Sequence, residues 1–559
     1  NRMPYYQARN EQAMVHQSVG FARMRRRRST FASTASVGPG AANMLTGAAL
    51  ATSNRMPVLL LPSDTFATRV SDPVLQQLEL PHDTGIQVTD AFRPLSRYFD
   101  RVQRPEQLYS IALAAMRVLT DPVETGAVTI ALPEDVQAEK LDVPLEFLQR
   151  REWHVRRPLP ERLPLERAIA AIKAARHPII VAGGGVIYSG AEAALKAFVE
   201  LTGIAVGTTQ AGGGSLEWDH PQYLGGIGAT GSTAANRLAA KADLVIGIGT
   251  RYSDFTTASR TAFRDEGVRF VNINVASFDA YKHGTQLPII ADAREALFAL
   301  AEGCAGYRVS PAYADEVRRE KVQWDDAVDA AFRPTGAERP GQSEIIGAVQ
   351  AATDPRDVVV QAAGSLPGDL HKLWRVRDSL GYHVEYAFSC MGYEIAGGLG
   401  VRRAAPDRDV IVMVGDGSYL MLHTELVTAV AENLKIIVVL IQNHGYASIG
   451  HLSETVGSGR FGTKYRVQDE HSLDFDGQQI LPVDLAANAR SYGIDVIEVS
   501  PGADLGRWLR QRLHLVPRLS ISRATRWTMR RMARAGGTYR LRRSRRWSQR
   551  LRRLNGMEN

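Results

Sequence analysis

Cysteine is almost absent from this chain of 559 residues, which contains only Cys304 and Cys390. Two cysteines cannot supply the bridges that hold small secreted domains together, so a disulfide scaffold is excluded and a reducing cytoplasm fits. Long apolar runs are also missing, since no stretch approaches the roughly 18 residues of a membrane-spanning helix. Nothing resembles a signal peptide. The sequence therefore predicts a cytoplasmic globular protein without a membrane partner.

Lysine and acidic residues are scarce at the end of the chain, although arginine is abundant there. Residues 512–559 contain fifteen Arg, no Lys and one acid, Glu558, which gives 15 − 1 = +14. The formal net charge of the whole chain is +8, so the remaining residues carry 8 − 14 = −6. The basic balance thus belongs to the tail, and a nucleic-acid partner for the globular body is not indicated.

Apolar strand patterns alternate with helical patterns through most of the chain, which is typical of α/β domains with parallel sheets. Two Pro-rich, charged stretches divide these patterns into three groups. We therefore predict an α/β fold with three doubly wound parallel-sheet domains. The predicted boundaries are a first domain at 1–142, a linker at 143–164, a second domain at 165–310, a helix and linker at 311–345, a third domain at 346–511 and an irregular Arg-rich tail at 512–559.

One βαβ unit, Val410 to Tyr446, carries the clearest chemistry. An apolar run stops at Gly415-Asp416-Gly417, a helical pattern follows, and a second apolar run leads to Asn443. Both strand ends point the same way in a parallel crossover, so Asp416 and Asn443, 443 − 416 = 27 positions apart, converge at one sheet edge. Two oxygen ligands there suit Mg²⁺, and the glycines let the backbone approach a diphosphate. A strand-to-helix turn is the alternative interpretation of Gly-Asp-Gly alone.

This spacing resembles the signature of enzymes that use thiamine diphosphate (ThDP). In that family the aspartate, the asparagine and a main-chain carbonyl two residues further on bind Mg²⁺ against the cofactor's diphosphate. The resemblance implies ThDP and Mg²⁺ as cofactors, with Asp416, Asn443 and the carbonyl of Gly445 as metal ligands. This chain departs from the family's frequent Asn-Asn pair at position 442, which is Gln. The cofactor-binding residues that the resemblance implies are Glu11, Gly364, Ser365, Ser389, Met391, Gly415, Asp416, Gly417, Ser418, Asn443 and Gly445.

The first residues of the chain also resemble this family. A helical period follows Asn10, and no strand precedes it, so we expect the sequence to lack its true N-terminus. The Arg-x-Glu-Gln pattern from Arg9 resembles the first motif of the pyrimidine-binding domain, which implies that Glu11 hydrogen-bonds N1′ of the cofactor's aminopyrimidine and is catalytic. A solvated helix acid is the alternative. The three predicted domains then correspond to the pyrimidine-binding domain (lacking its first strand), the central domain and the diphosphate-binding domain.

Further segments resemble a branch of the acetolactate-synthase-like ThDP enzymes that opens a cyclic 1,2-diketone. They lie at 229–236, 247–255, 362–370, 385–401 and 456–466. The resemblance implies hydrolysis of a C–C bond in a trihydroxycyclohexane-1,2-dione to give 5-deoxyglucuronate, in myo-inositol breakdown. It also implies a homodimer or homotetramer, because one active site in this superfamily uses two subunits. An acetolactate-synthase-type carboligase is the alternative enzyme, and it would share the metal clamp and Glu11.

Several other sequence features are open to two interpretations each. Cys390 is a candidate nucleophile or, without an identifiable base, a packing residue. The glycines after Ala182 suggest a nicotinamide site or turns of the central domain. His444 and Arg466 are candidate substrate contacts that the sequence does not place. The tail is a nucleic-acid or membrane-binding arm, or out-of-frame translation of a GC-rich gene; in the second case the chain would be an inactive product.

Overall fold

The computed structural model describes residues 3–70, 72–337, 339–475, 477, 479–499 and, for the backbone alone, 518–523. Within these ranges the strands form three sheets, and each strand pair is parallel. Most strands are buried on both faces because helices cover the sheets, which explains their continuous apolar sequences. The predicted α/β class with three parallel-sheet domains is therefore observed.

The first sheet has four strands in the order β1-β2-β4-β3. Asn10 begins the first helix, because its side chain accepts hydrogen bonds from the backbone N–H groups of Gln12 and Ala13 at 2.8 and 3.2 Å. The elements of this domain are α1 (Glu11–Met24), β1 (Ala32–Ala35), α2 (Pro39–Asn43), α3 (Leu45–Asn54), β2 (Val58–Asp64), β3 (Tyr98–Arg101), α4 (Leu108–Leu119), β4 (Ala127–Pro133) and α5 (Glu134–Gln137).

The second sheet has six strands in the order β10-β9-β8-β5-β6-β7. Its elements are α6 (Arg162–Ala174), β5 (Pro178–Ala182), α7 (Gly184–Ser189), α8 (Glu192–Thr202), β6 (Ala205–Thr208), β7 (Tyr223–Gly226), α9 (Thr233–Lys241), β8 (Leu244–Ile248), α10 (Asp254–Thr257), β9 (Arg269–Asn274), α11 (Ser277–Ala280), β10 (Leu287–Ile290) and α12 (Ala293–Gly303). The charged helix α13 (Pro311–Phe332) then leads towards the third domain. Helix α6 begins inside the predicted linker, because Pro164 falls in its first turn, where proline is tolerated.

The third sheet also has six strands, in the order β12-β11-β13-β14-β16-β15. Its elements are α14 (Gln342–Ala352), β11 (Val358–Gln361), α15 (Leu366–Leu373), β12 (Tyr382–Val384), α16 (Tyr393–Ala404), β13 (Val410–Gly415), α17 (Asp416–Leu422), α18 (Glu425–Ala431), β14 (Ile437–Gln442), α19 (Ala447–Thr455), α20 (Leu485–Ser491), β15 (Asp495–Val499) and β16 (Arg518–Arg523). The predicted strand-helix-strand unit is present, with α17 beginning at Asp416 itself.

Strand β16 differs from the prediction of an irregular tail at 512–559. It lies between β14 and β15 and pairs with both, in register with Ile437 to Gln442 on one side and Asp495 to Val499 on the other. The physical reason is visible in the sequence, where Leu519 and Ile521 alternate with Ser520 and Ser522 in a strand pattern. The remainder of the predicted tail, and both interpretations of it, lie outside the described residues.

Helix α1 of the first domain packs along helix α16 of the third. The two helices approach closely because glycines of each helix lie against the backbone of the other. A Cβ on Gly20 would lie 2.3 Å from the Gly397 carbonyl oxygen, and a Cβ on Gly400 would lie 2.0 Å from the Gln17 carbonyl oxygen. Larger residues at these positions would force the helices apart. This packing places the start of α1, with Glu11, beside the segment that precedes α16.

Candidate active site

The carboxylate of Asp416 ties the ends of β13 and β14 together. Its Oδ2 accepts hydrogen bonds from the backbone N–H groups of Asn443, at 3.0 Å, and His444, at 2.6 Å. Its Oδ1 accepts one from the N–H of Gly417, at 2.8 Å, in the first turn of α17. The crossover thus brings the two predicted metal-binding segments into direct contact, and the carboxylate has lone pairs left for a cation.

Asn443 and Gly445 complete this edge of the sheet. The side-chain oxygen Oδ1 of Asn443 is buried and has no hydrogen-bond partner, which is a costly arrangement for an amide unless a ligand satisfies it. Gly445 runs so close to a neighbouring loop that a Cβ would lie 2.3 Å from the Thr463 carbonyl oxygen. The backbone hydrogen bonds beside it, Tyr446 N–H to Thr463 and Tyr465 N–H to the His444 carbonyl, do not use the Gly445 carbonyl.

Open space at two other glycines fits a diphosphate. A Cβ on Gly364 or on Gly415 would meet nothing within 4 Å, and Gly364 has a φ of +88°, which other residues rarely adopt. A Cβ on Gly417, in contrast, would lie 2.8 Å from the Tyr446 ring. Together with the orphaned Asn443 oxygen, this cradle has the donors and the room that a Mg²⁺–diphosphate group needs. The residues present fit the cofactor that the sequence predicts.

Burial raises the pKa of Asp416 to about 6, against the lowering effect of the backbone N–H groups that it accepts. The side chain is only 2% exposed. A carboxyl group in this state loses its proton easily near neutral pH, and a bound cation would favour the ionised form. Among the described residues there is no group of three or more His, Cys, Asp or Glu side chains around a common point. A metal here would rely on one carboxylate, that of Asp416, together with amide, carbonyl and phosphate oxygens.

Glu394, which the sequence analysis missed, joins three loops of the site. Its Oε2 lies 2.6 Å from Oγ of Ser418, and its Oε1 accepts a hydrogen bond from the Ala363 N–H at 3.3 Å. The Gly392 N–H donates to the same Ser418 hydroxyl at 2.7 Å. Burial raises the pKa of Glu394 to about 7. The sequence did contain a signal for it, because Glu394 is the one acidic residue in a helix whose other early residues are mostly small or apolar.

The loop between β12 and α16 holds Ser389 and Met391. The buried carboxylate of Glu385 fixes it by accepting hydrogen bonds from the backbone N–H groups of Phe388, Ser389 and Cys390. Ser389 is exposed and has a φ of +54°, an unfavourable value for serine that the glutamate maintains. Ser365, predicted to meet the cofactor, donates its hydroxyl to Gln342 Oε1 at 3.2 Å and lies beside the open Gly364.

Glu11 lies at the first position of α1, half-buried, next to the Gly38-Pro39-Gly40 turn. Its Oε2 accepts a hydrogen bond from Asn43 Nδ2 at 3.0 Å. The neighbouring Gln12 side chain contacts the sulfur of Cys390 at 3.6 Å, so the start of α1 lies beside the Ser389–Met391 loop of the same chain. The resemblance places Glu11 and the metal clamp of one site on two different subunits, and this arrangement stays a prediction, as does the oligomeric state.

A buried glutamate of the third domain anchors the start of α1. Glu425, with no exposed surface, accepts hydrogen bonds from the backbone N–H groups of Arg9 and Asn10 and from the side chain of Gln17. Since Glu425 lies at the start of α18, shortly after the Asp416 helix, the position of Glu11 depends on the same segment that contains the predicted metal ligand Asp416.

Cys390 does not have the environment of a nucleophile. Burial, Glu385 and Glu394 raise the pKa of its thiol to about 12. The nearest imidazole, His16, lies 3.9 Å from the sulfur, and burial lowers its pKa to about 3. A neutral thiol beside a neutral imidazole is inert, which supports the packing interpretation. Both cysteines are free.

A separate cavity of about 1250 Å³ lies between the first and second domains. Of the predicted cofactor residues, only Ser389 lines it. Its wall carries Arg23, Arg27, Arg55 and Arg251, and the Arg27 guanidinium lies 3.7 Å over the Tyr188 ring. The run of four arginines at 25–28 therefore turns inward in part, since Arg26, Arg27 and Arg28 line this cavity. Of the two candidate substrate contacts, His444 lies in the loop between β14 and α19, and Arg466 lies in the segment that follows α19.

No helix in the described part of the chain has the length and apolar character required to cross a bilayer.

Family comparisons cover the three domains separately. The chain matches the N-terminal TPP-binding domain of thiamine pyrophosphate enzymes at residues 1–84, the central domain at 165–300 and the C-terminal TPP-binding domain at 362–518. Thiamine pyrophosphate is another name for ThDP, so the predicted cofactor class and three-domain fold are confirmed. The C-terminal match extends to the start of β16, beyond the predicted domain end at 511.

Several similar proteins carry one and the same name. Relatives from Bacillus thuringiensis (strain Al Hakam), Bacillus cereus (strain 03BB102) and Bacillus anthracis (strain CDC 684 / NRRL 3495) are each 46% identical to this chain over 519 residues. Each alignment covers 89% of this chain and 80% of the relative. All three are named 3D-(3,5/4)-trihydroxycyclohexane-1,2-dione hydrolase. With three ThDP-enzyme domains in order and this identity over most of its length, the chain belongs to the 3D-(3,5/4)-trihydroxycyclohexane-1,2-dione hydrolase family of thiamine pyrophosphate enzymes.

Proposed function

We propose that this chain, with ThDP and Mg²⁺, hydrolyses a ring C–C bond of 3D-trihydroxycyclohexane-1,2-dione to give 5-deoxyglucuronate. The observation that carries the proposal is the 46% identity to hydrolases of that name over 80% of their length. The reaction adds the elements of water across one C–C bond: hydroxyl goes to the acyl carbon and hydrogen to the other carbon, so no oxidant is needed. We place the activity in myo-inositol breakdown in the cytoplasm.

The metal clamp would consist of Asp416, Asn443 and the carbonyl of Gly445. The support is the buried Asn443 Oδ1 without a partner and the Asp416 carboxylate held against the same loop. Gly364, Ser365, Gly415, Gly417 and Ser418 would surround the diphosphate, as the open space at two of these glycines suggests. When bound, ThDP supplies the carbon centre that adds to a ketone carbonyl and accepts the electron pair of the breaking C–C bond.

Glu11 would hold a proton at N1′ of the aminopyrimidine, while Ser389 and Met391 would contact the ring portion of the cofactor. The support for Glu11 is its place at the start of α1, which lies beside the loop that contains Ser389. Removing a positioned acid or base of this kind typically lowers a rate by about 10²–10⁴-fold. Glu11→Gln should therefore lose dione hydrolysis by that factor and retain ThDP binding.

The direct test is an assay of the purified chain with ThDP and Mg²⁺ on the cyclic dione and, separately, on pyruvate. Dione consumption without pyruvate condensation supports the hydrolase, and the reverse result supports the alternative carboligase. Asp416→Ala should remove the activity together with ThDP binding. Asp407→Asn, which changes an exposed carboxylate paired with Arg356, is the matched control and should leave both unchanged.

We further propose that the functional form is a homodimer or homotetramer, and that the pyrimidine-binding and central domains occupy residues 1–142 and 165–310. The diphosphate-binding domain would begin at residue 346 and, because it includes β16, extend beyond residue 511. The family relationship supports the oligomer. Light scattering at several protein concentrations, with and without cofactor, measures the mass directly. A monomer that is active at the concentration of the assay would contradict the oligomeric proposal but not the enzymatic one.

A further inference from the structure

Ser418 and Glu394 share one hydrogen bond whose direction the protein can reverse. A serine hydroxyl has one donor and two lone pairs, and Ser418 already accepts the Gly392 N–H at 2.7 Å. The distance of 2.6 Å between Ser418 Oγ and Glu394 Oε2 suits a bond with either oxygen as the donor. If Glu394 is ionised, Ser418 must donate to it. If Glu394 carries a proton on Oε2, it donates to Ser418 and releases the serine hydrogen.

The second arrangement matches a diphosphate. Phosphate oxygens only accept hydrogen bonds, so they are repelled by a serine lone pair and attracted by a free hydroxyl hydrogen. Ser418 is the fourth residue of the Gly-Asp-Gly-Ser segment, where we propose that the diphosphate binds. The Ala363 N–H on Oε1 leaves that oxygen as an acceptor, so the proton belongs on Oε2, on the side of Ser418.

Among the described residues, no cation is one of the main influences on the Glu394 carboxyl group. The side chain is 1% exposed, and the titratable groups that influence it or are influenced by it are Glu385, the Cys390 thiol and the Tyr393 phenol. Glu385 and burial both favour the neutral form. A polyanion bound at Ser418 would add negative charge on the remaining side and favour it further.

We propose that Glu394 is a positioning residue that takes up a proton when the cofactor binds, so that Ser418 turns its hydroxyl hydrogen towards the diphosphate. This inference rests on the proposed function, since it needs the diphosphate beside Ser418. It gives the site a second ionisable carboxyl group, distinct from Asp416, whose protonation accompanies loading of the cofactor. Glu394 itself touches neither substrate nor cofactor.

The test is calorimetric titration of the full chain with ThDP and Mg²⁺ at pH 8 in buffers of different ionisation enthalpy, which gives the number of protons exchanged. The wild-type chain should take up close to one proton more than Glu394→Gln. Glutamine mimics the protonated acid, because its Nε2 donates to Ser418 and its Oε1 accepts from Ala363. Glu394→Gln should therefore bind ThDP at least as tightly as wild type at pH 8.

Two further variants keep the outcome decisive. Ser418→Ala retains the carboxyl group but removes the coupling, so it should lose the extra proton and bind more weakly. Asp357→Asn is the matched control, because burial raises the pKa of Asp357 to about 6 at the opposite, amino end of β11. It should leave the proton number unchanged. If wild type and Glu394→Gln take up equal numbers of protons while both bind ThDP, the inference is overturned. If Glu394→Gln does not fold, equal uptake in wild type and Ser418→Ala overturns it instead. Failure of wild type to bind ThDP overturns the proposed function and the inference with it.

Discussion

At the scale of a single residue, Asp416, the proposed metal ligand, should set the pH dependence of metal binding. Its pKa of about 6 results from burial, and a cation can bind only after the proton leaves. We expect the affinity for Mg²⁺–ThDP to be about tenfold weaker at pH 5 than at pH 7, because about ten of eleven molecules are then protonated. Calorimetry at the two pH values, corrected for protonation of the free cofactor, measures this. An affinity independent of pH would exclude Asp416 as a ligand.

Glu394 affects stability in the chain without cofactor. Its pKa rises from 4.5 in the unfolded chain to about 7 in the folded one. Between these values the folded chain holds a proton that the unfolded chain releases, so stability falls as pH rises and stays low above about 7. The shift corresponds to roughly 3 kcal/mol. Urea unfolding at pH 5 and pH 8 should show a smaller loss for Glu394→Gln than for wild type; equal losses would contradict this.

At the scale of the elements, the α1–α16 contact joins the first domain to the third. Gly400→Ala places a methyl group 2.0 Å from the Gln17 carbonyl oxygen, a backbone atom that cannot rotate away. We expect a loss of about 3 kcal/mol in the free energy of unfolding. Gly368→Ala, in α15, is the control, because its nearest contact is a methyl carbon of Thr230 at 3.2 Å. Urea unfolding compares the two, and similar changes in stability would contradict a decisive contact with Gln17, since helix propensity alone would make both alanine variants more stable than wild type.

The sequence predicted local units better than contacts between them. The βαβ unit around Asp416 and Asn443 was predictable, because a parallel crossover brings strand ends to one edge whatever surrounds it. The role of Glu394 was not, since it depends on Ala363 and Ser418 arriving from two other loops. The packing of α1 on α16, almost 400 residues apart in sequence, likewise follows from shape at Gly20 and Gly400 and not from any local pattern. Strand β16 was missed because arginines at both ends obscured its alternation.

The charge distribution of the whole molecule concentrates cations in the cavity between the first two domains. Arg27 and Arg251 donate to the carbonyls of Asn54 and Ser53, and no carboxylate of the described residues pairs with either. Burial and the neighbouring arginines lower the pKa of Arg27 to about 10, and its Nε is buried without a partner. This mutual repulsion is a cost to the folded chain that anions in solution would reduce.

We therefore expect pyrophosphate at millimolar concentration, without Mg²⁺, to raise the melting temperature more than chloride at equal ionic strength. Arg27→Gln should be more stable than wild type in chloride and should show a smaller response to pyrophosphate. Arg318→Gln, on the exposed face of α13, is the control and should respond like wild type. Differential scanning fluorimetry suffices. An identical response in all three proteins would show that the cavity arginines do not bind the anion.

The insertion of β16 between β14 and β15 has a consequence for synthesis on the ribosome. The strand that closes the third sheet is made after both of its neighbours, and β15 has no other partner among the described strands. Until residue 523 has left the exit tunnel, the edge of β14, which ends at the Asn443 loop, has no strand beside it. An emerging chain would thus present an open sheet edge late in translation, at the stage when chaperones that cover such edges matter most.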